Sequence, residues 1–169
     1  ALHVLKAEGF IFIGDVRLYD LLETFHTSVQ LYQANDTLTV GQLKQQIQRH
    51  QAQEKELLVS PDFFLSLAQQ YDSISHVQVQ PKYGQAENEL TKFRYDAILH
   101  VGQPVALQSE IIWHDWRKLE PKLSAIESLL KNDVPQTFGL RHIPNRRLQA
   151  ERYAQAWLKE AEPTATGAD

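Results

Sequence analysis

Short apolar runs alternate with amphipathic stretches along this chain, and the rhythm predicts an α/β arrangement. Phe10-Ile11-Phe12-Ile13 is an unbroken apolar run between Gly9 and Gly14, followed by Asp15. Such continuity predicts a buried, central, parallel strand. From Leu18 the period changes, with Leu18, Leu21, Leu22, Phe25, Val29 and Tyr32 sharing one face of a predicted helix. Asn35-Asp36-Thr37 ends it, and Thr37 or Thr39 can cap a second helix through Val40, Leu43 and Ile47. The Gln-rich stretch 42–53 reads as the solvated part of that helix. Ser60-Pro61-Asp62 predicts a third start, with Ser as N-cap, Pro at the first helical position and an acid in the first turn. Phe63, Phe64, Leu67 and Tyr71 supply its buried face. Ile74 to Gln80 alternates as a sheet-edge strand should, and Ala97-Ile98-Leu99-His100-Val101 reads as a strand covered on both faces.

The final third has a different texture. Ile111-Ile112-Trp113 and Trp116 form an apolar patch, Leu123, Ile126, Leu129 and Leu130 mark a helix, and Phe138 to Ile143 a short strand ended by Pro144. A last helix carries Leu148, Ala154, Trp157 and Leu158. The three tryptophans read as core anchors, or as an interface if exposed. The expected organisation is a first region over 1–102, a helical extension over 103–162 packing on it, and a loose tail over 163–169. Leu2 and Leu5 read as the last turn of a helix stopped before Gly9. With no methionine and an opening already in mid-pattern, the chain reads as a piece cut from a longer polypeptide.

Composition narrows the chemistry. A chain of 169 residues, 43% hydrophobic and 22% charged, suits one domain with a real core, and a net charge of −4 gives no electrostatic reason to expect nucleic acid as a partner. The absence of cysteine excludes disulfides, thiolate zinc sites and cysteine nucleophiles. The seven histidines show no metal-ligand spacing, and no phosphate loop or Gly-x-Ser-x-Gly elbow occurs. No apolar run approaches the roughly 20 residues that span a bilayer, so no membrane partner is expected and the chain reads as cytoplasmic.

The stretch Asn88 to Val101 concentrates the candidate chemistry, because its polar head of Asn88, Glu89, Thr91, Lys92 and Arg94 runs into Tyr95-Asp96 and an apolar strand. Glu89 is the candidate substrate-facing acid, or else a surface carboxylate paired with Lys92 or Arg94. Asn88 can bond a substrate amide or form a turn. Arg94 and Tyr95 can shape a pocket, while Arg94 can equally close an ion pair with Asp96 or Asp15. Asp15 and Arg17 sit at the carboxyl end of a predicted parallel strand, where open α/β sheets bind ligands. His26 lies one position off the apolar stripe of its helix and can face a pocket.

The phrases Gly9 to Arg17, Phe25-His-Thr-Ser-Val-Gln-Leu31 and Asn88 to Val101, with Ile143-Pro-Asn-Arg-Arg-Leu148 after them, resemble the C-terminal half of the methyltransferase domains embedded in nonribosomal peptide synthetases. The resemblance implies the C-terminal part of a class I methyltransferase sheet: one parallel strand, a terminal antiparallel strand pair, flanking helices and a helical C-terminal extension. Phe10 to Asp15 would be its fifth strand, His76 to Gln80 its sixth and Phe93 to Val101 its seventh. The implied activity of the full domain is S-adenosylmethionine-dependent methyl transfer, most often to the nitrogen of an aminoacyl or peptidyl group on a carrier domain. Glu89, Asn88 and Tyr95 would then be catalytic, and Asp15, Arg17, His26 and Arg94 substrate-binding. The glycine-rich cofactor loop and ribose-binding acid of that family have no counterpart here, and no Gly-x-Gly occurs. The chain alone is therefore expected to be inactive and not to bind S-adenosylmethionine. The expected partners are a missing N-terminal half and the adenylation and carrier domains of a synthetase. The alternative is a noncatalytic docking or structural module of the same assembly line.

Overall fold

A computed structural model describes residues 8–102, 111–119, 123–131 and 138–166. By their contacts they fall into two units: residues 1–103 with 147–169, and residues 104–146.

The first unit is built on a four-stranded mixed sheet, β1 (Gly9–Leu18), β2 (Leu58–Val59), β3 (Ile74–Pro81) and β4 (Arg94–Val101), in the order β2-β1-β4-β3. β4 runs antiparallel to both β1 and β3, so those two point the same way. The protein is thus α/β with a mixed sheet. β1 differs from its expected character. Its parallel partner is the two-residue β2, at Arg17↔Leu58 and Leu18↔Val59, and its long pairing with β4 is antiparallel. Only one of its faces is buried: Ile11 and Ile13 pack on the core, while Phe10 and Phe12 are 64% and 58% exposed. A continuous apolar run cannot by itself say what covers each face.

On the core face, Tyr95, Ala97 and Leu99 of β4 and Ile74 and Val77 of β3 meet Phe64 of helix α3 (Pro61–Gln70). The alternation along β4 is the period-2 signature of a strand with one buried face. Ser60 precedes α3 in extended geometry, but its hydroxyl donates to Asp20 Oδ2 at 3.0 Å and makes no cap.

The strand β1 continues through Leu18 and a 3₁₀ turn over Tyr19–Leu21, so helix α1 (Leu22–Gln33) begins later than its periodicity predicts. The buried stripe of α1 is also not the apolar one. Thr24, His26, Thr27 and Gln30 are buried, whereas Tyr32 stands in solvent. Thr24 Oγ1 donates to Gln155 Oε1 at 2.9 Å, which satisfies part of that polar seam. Helix α2 (Val40–Ala52) begins with a capping box, Thr39 accepting from the Gln42 amide and Gln42 from that of Thr39. Its Val40, Leu43 and Ile47 pack with Leu158 of α6 (Gln149–Glu160). The last helix thus belongs to the first unit. Residues 163–166 differ from a loose tail: the carbonyls of Ala165 and Pro163 accept from the amides of Val40 and Gly41 at 2.8 and 2.9 Å.

The five-residue helix α4 (Glu89–Phe93) occupies the polar head where strand was expected from Phe93. In the second unit β5 (Ile112–Asp115) pairs in parallel with β6 (Phe138–Arg141), beside helix α5 (Leu123–Lys131). The unit is more than helical. Trp113 lies over Gly139, where a Cβ would come within 2.5 Å of the indole, yet Trp113 is exposed, as is Trp157 in the first unit. The expected helical turn before Gly9 lies outside the described residues.

Candidate functional site

The site grows from an irregularity in β1. Ile13 pairs with Ala97 and Val16 with Tyr95, so three steps on β1 match two on β4 and one residue is extra. The bulge is Gly14-Asp15. Asp15 adopts φ 64°, a left-handed conformation that aspartate tolerates better than most residues, and its amide donates to Asp96 Oδ1 at 2.8 Å. Gly14 lets the exposed Phe12 ring lie close over the bulge, since a Cβ there would sit 2.6 Å from the ring and push it aside. After the bulge, Arg17 comes into register with Arg94 at the start of β4.

Two arginines side by side need anions, and the segment before β2 and the first turn of α4 supply them. Arg17 is 6% exposed; its Nη1 meets Glu54 Oε2 at 2.8 Å and Glu56 Oε2 at 3.1 Å, and its Nη2 meets Glu89 Oε1 at 3.3 Å. Arg94 takes Glu56 Oε1 on Nη1 at 2.5 Å and Glu89 Oε1 on Nη2 at 2.8 Å. The four residues Arg17, Glu56, Arg94 and Glu89 close a ring of alternating charge. Burial works against the charge of Arg94, but the bonds to Glu89 and Glu56 outweigh it and raise its pKa. Asp15 stands at the margin, 3.6 Å from Arg94 Nη1 and 3.5 Å from Lys82 Nζ. Lys82 is held mainly by Asp96 at 2.7 Å, which raises its pKa; burial pushes Asp96 upward, but Lys82 and the Asp15 amide bring it below the usual carboxylate range.

Glu54 and Glu89 use their oxygens differently. Glu54 Oε1 accepts from the amides of Lys55 and Glu56, both at 2.9 Å, and its Oε2 meets Arg17 and His26 Nε2, the latter at 3.2 Å. Those amide bonds, the Glu56 one first, hold its pKa low against burial. Burial, joined by Arg17 and His50, lowers the pKa of His26 against the opposing pull of Glu54. Glu89 takes its hydrogen bonds on Oε1; among the described residues its Oε2 has no hydrogen-bond partner, and its side chain is 43% exposed. It borders a groove of about 280 Å³ lined by the apolar stripe of α1, with Phe25, Val29 and Tyr32, and by Asn88, Lys92 and Phe93. Phe25 also stacks on the Arg17 guanidinium, 3.8 Å from the ring centre.

The structure therefore brings together Asp15, Arg17, Glu89 and Arg94, and joins His26 through Glu54. Asn88 is placed otherwise: its side chain caps α4, accepting from the Thr91 amide at 3.2 Å. Tyr95 points to the opposite face of the sheet, where its ring packs on Phe64 and its hydroxyl donates to the Val59 carbonyl at 3.0 Å. Burial there pushes the phenol up to about 12. Asp96 pairs with Lys82, and Arg94 with Asp15 and the glutamates. Sequence reasoning missed Glu54, Glu56 and Lys82. An acid pair directly before Leu57-Leu58-Val59 was the available signal for the first two, since Leu58-Val59 is the strand stub that sets them beside Arg17. Arg147, missed as well, donates from Nη1 to the Lys82 carbonyl at 3.2 Å and from Nη2 to that of Gly84, clasping the loop that leads to Glu89. No metal-binding group of three or more His, Asp or Glu occurs among the described residues.

No family model matches the chain. Its homologues among curated proteins are nonribosomal peptide synthetases. It is 41% identical over 165 residues to chondramide synthase of Chondromyces crocatus, covering 94% of this chain and 4% of the relative. It is 35% identical over 159 residues to a nonribosomal peptide synthetase of Aspergillus flavus, covering 89% and 2%. With a synthetase of Penicillium thymicola the identity is 34% over 165 residues, covering 93% and 6%. The chain thus spans only a few hundredths of the length of the relatives it matches. No helix of the described residues is long and apolar enough to cross a membrane.

Proposed function

We propose that this chain is the substrate-side portion of a methyltransferase domain that N-methylates a carrier-bound aminoacyl or peptidyl group during nonribosomal peptide synthesis. The observation that carries the reading is the asymmetry of Glu89: one oxygen is fixed by two guanidiniums, the other takes no hydrogen bond from the described residues, and the part-exposed side chain borders an apolar groove. A carboxylate so held accepts the N–H of an acceptor amine, orients its lone pair, and takes the proton displaced when the nitrogen gains a carbon. The groove accommodates the acyl side chain. Homology to synthetases along about nine-tenths of the chain supports the carrier-bound substrate.

S-adenosylmethionine would supply the methyl group as an electrophilic sulfonium. The sequence holds no Gly-x-Gly turn, and the reading assigns the cofactor to the N-terminal half of such a domain. The exposed Phe10 and Phe12 on β1 support that half as the continuation of this side of the fold.

The test is reconstitution with that half, methyl-labelled S-adenosylmethionine and an aminoacyl-loaded carrier domain. Label on the acceptor nitrogen is the expected result. Binding to adenylation or carrier domains without transfer would replace this reading by that of a docking module.

A further inference from the structure

We propose that Glu54 is a positioning residue for Glu89, acting through Arg17; the inference rests on the reading of Glu89 as the acceptor-facing carboxylate. Arg17 is the element shared by both. Its Nη1 is held by Glu54 at 2.8 Å and its Nη2 holds Glu89 at 3.3 Å, so one carboxylate fixes the guanidinium that, together with Arg94 at 2.8 Å, places the other. Glu54 is suited to be the fixed end. Its carboxylate is satisfied on both oxygens, by two backbone amides on one side and by Arg17 and His26 on the other, and its side chain is 14% exposed. Glu89 is the free end, with an oxygen that takes no hydrogen bond from the described residues and a partly exposed side chain.

The order of rigidity follows from chemistry. Bonds from backbone amides to a carboxylate cannot swing away as a side chain can, so Glu54 is anchored to the loop before β2 and, through the Arg17↔Leu58 pairing, to β1 itself. A planar guanidinium then transmits direction as well as charge. Phe25 beneath Arg17 and its T-shaped contact with Phe93 of α4 leave the guanidinium little room to tilt. Loss of Glu54 leaves Arg17 Nη1 to Glu56 alone, turns the guanidinium toward it, and loosens the Nη2 contact, so that Glu89 is held at the groove by Arg94 only. Glu54 itself touches no substrate.

The experiment is a double-mutant cycle in the methyl-transferring parent module, with Glu54→Gln, Glu89→Gln and the double variant measured for kcat and acceptor KM. Glu54→Gln is expected to lower kcat by about tenfold or more with KM within about twofold, and to have no further effect once Glu89 is Gln. A multiplicative effect in the Glu89→Gln background, or full activity of Glu54→Gln beside an impaired Glu89→Gln, overturns the inference alone. Full activity of Glu89→Gln overturns the reading beneath it. If Glu54→Gln does not fold, Glu54→Asp is run through the same cycle, with the same expected and overturning results.

Discussion

Arg17 and Arg94 face each other as register partners on antiparallel strands, and Glu56 and Glu89 each bridge the two. Like charges opposite one another destabilise a sheet, so the strand pair depends on these two acids. Glu56→Gln should lower stability by about 1 kcal/mol, the discount reflecting its partial exposure, and the loss should shrink at high salt. Denaturant titrations at low and high ionic strength check both parts.

Near neutral pH the stability should depend on His26. Burial holds its folded pKa below the ordinary 6.5, with Arg17 and His50 adding to the effect and Glu54 opposing it. The unfolded chain binds a proton near pH 6.5 that the folded protein refuses, so stability is complete above that pH and falls as pH drops below it. The lowered carboxylates Glu54 and Asp96, with ordinary values of 4.5 and 3.8, contribute only farther down. Thermal melts between pH 8 and 5 should show the decline, and His26→Gln should flatten it.

Asp15 should tolerate substitutions according to backbone conformation. At φ 64° a β-branched side chain is strained, and Asp15→Val should cost about 1–3 kcal/mol. Asp15→Gly removes the strain along with two long ion pairs and should stay within about 1 kcal/mol of wild type. Equilibrium unfolding of both variants separates the conformational effect from the charge.

Lys92 and Glu151 form a largely buried ion pair at 2.7 Å, and Glu151 Oε2 is buried without a hydrogen-bond partner. Lys92→Met strands the carboxylate and should destabilise by about 3 kcal/mol. Adding Glu151→Leu should recover most of that loss. Urea midpoints of the single and double variants read the difference.

The sequence made most elements legible, because periodicity, capping residues and the Ser-Pro-Asp start are local signals. Asp15 and Arg17 were legible as a pair at a strand end, and an antiparallel last strand, which the resemblance implied, sets the segment around Glu89 beside them. Two things were not legible. The buried stripe of α1 is Thr24, His26, Thr27 and Gln30, since polar side chains that satisfy one another can be buried without disturbing the apolar pattern beside them. The arginine partners were also hidden: Glu54 and Glu56 lie 37 and 38 residues from the arginines they bond, and only the β2 stub sets them there. Asn88 and Tyr95 show the converse, residues in a suggestive phrase whose side chains serve a helix cap and the core.

The acceptor role of Glu89 is tested most directly by Glu89→Gln in the reconstituted domain, read as single-turnover methyl transfer to a carrier-bound amine. Glutamine keeps the shape and can still bond the arginines through its oxygen, but its other atom donates where the carboxylate accepts. A fall in the transfer rate of about a hundredfold, with the carrier still bound, is predicted. An unchanged rate would contradict the account.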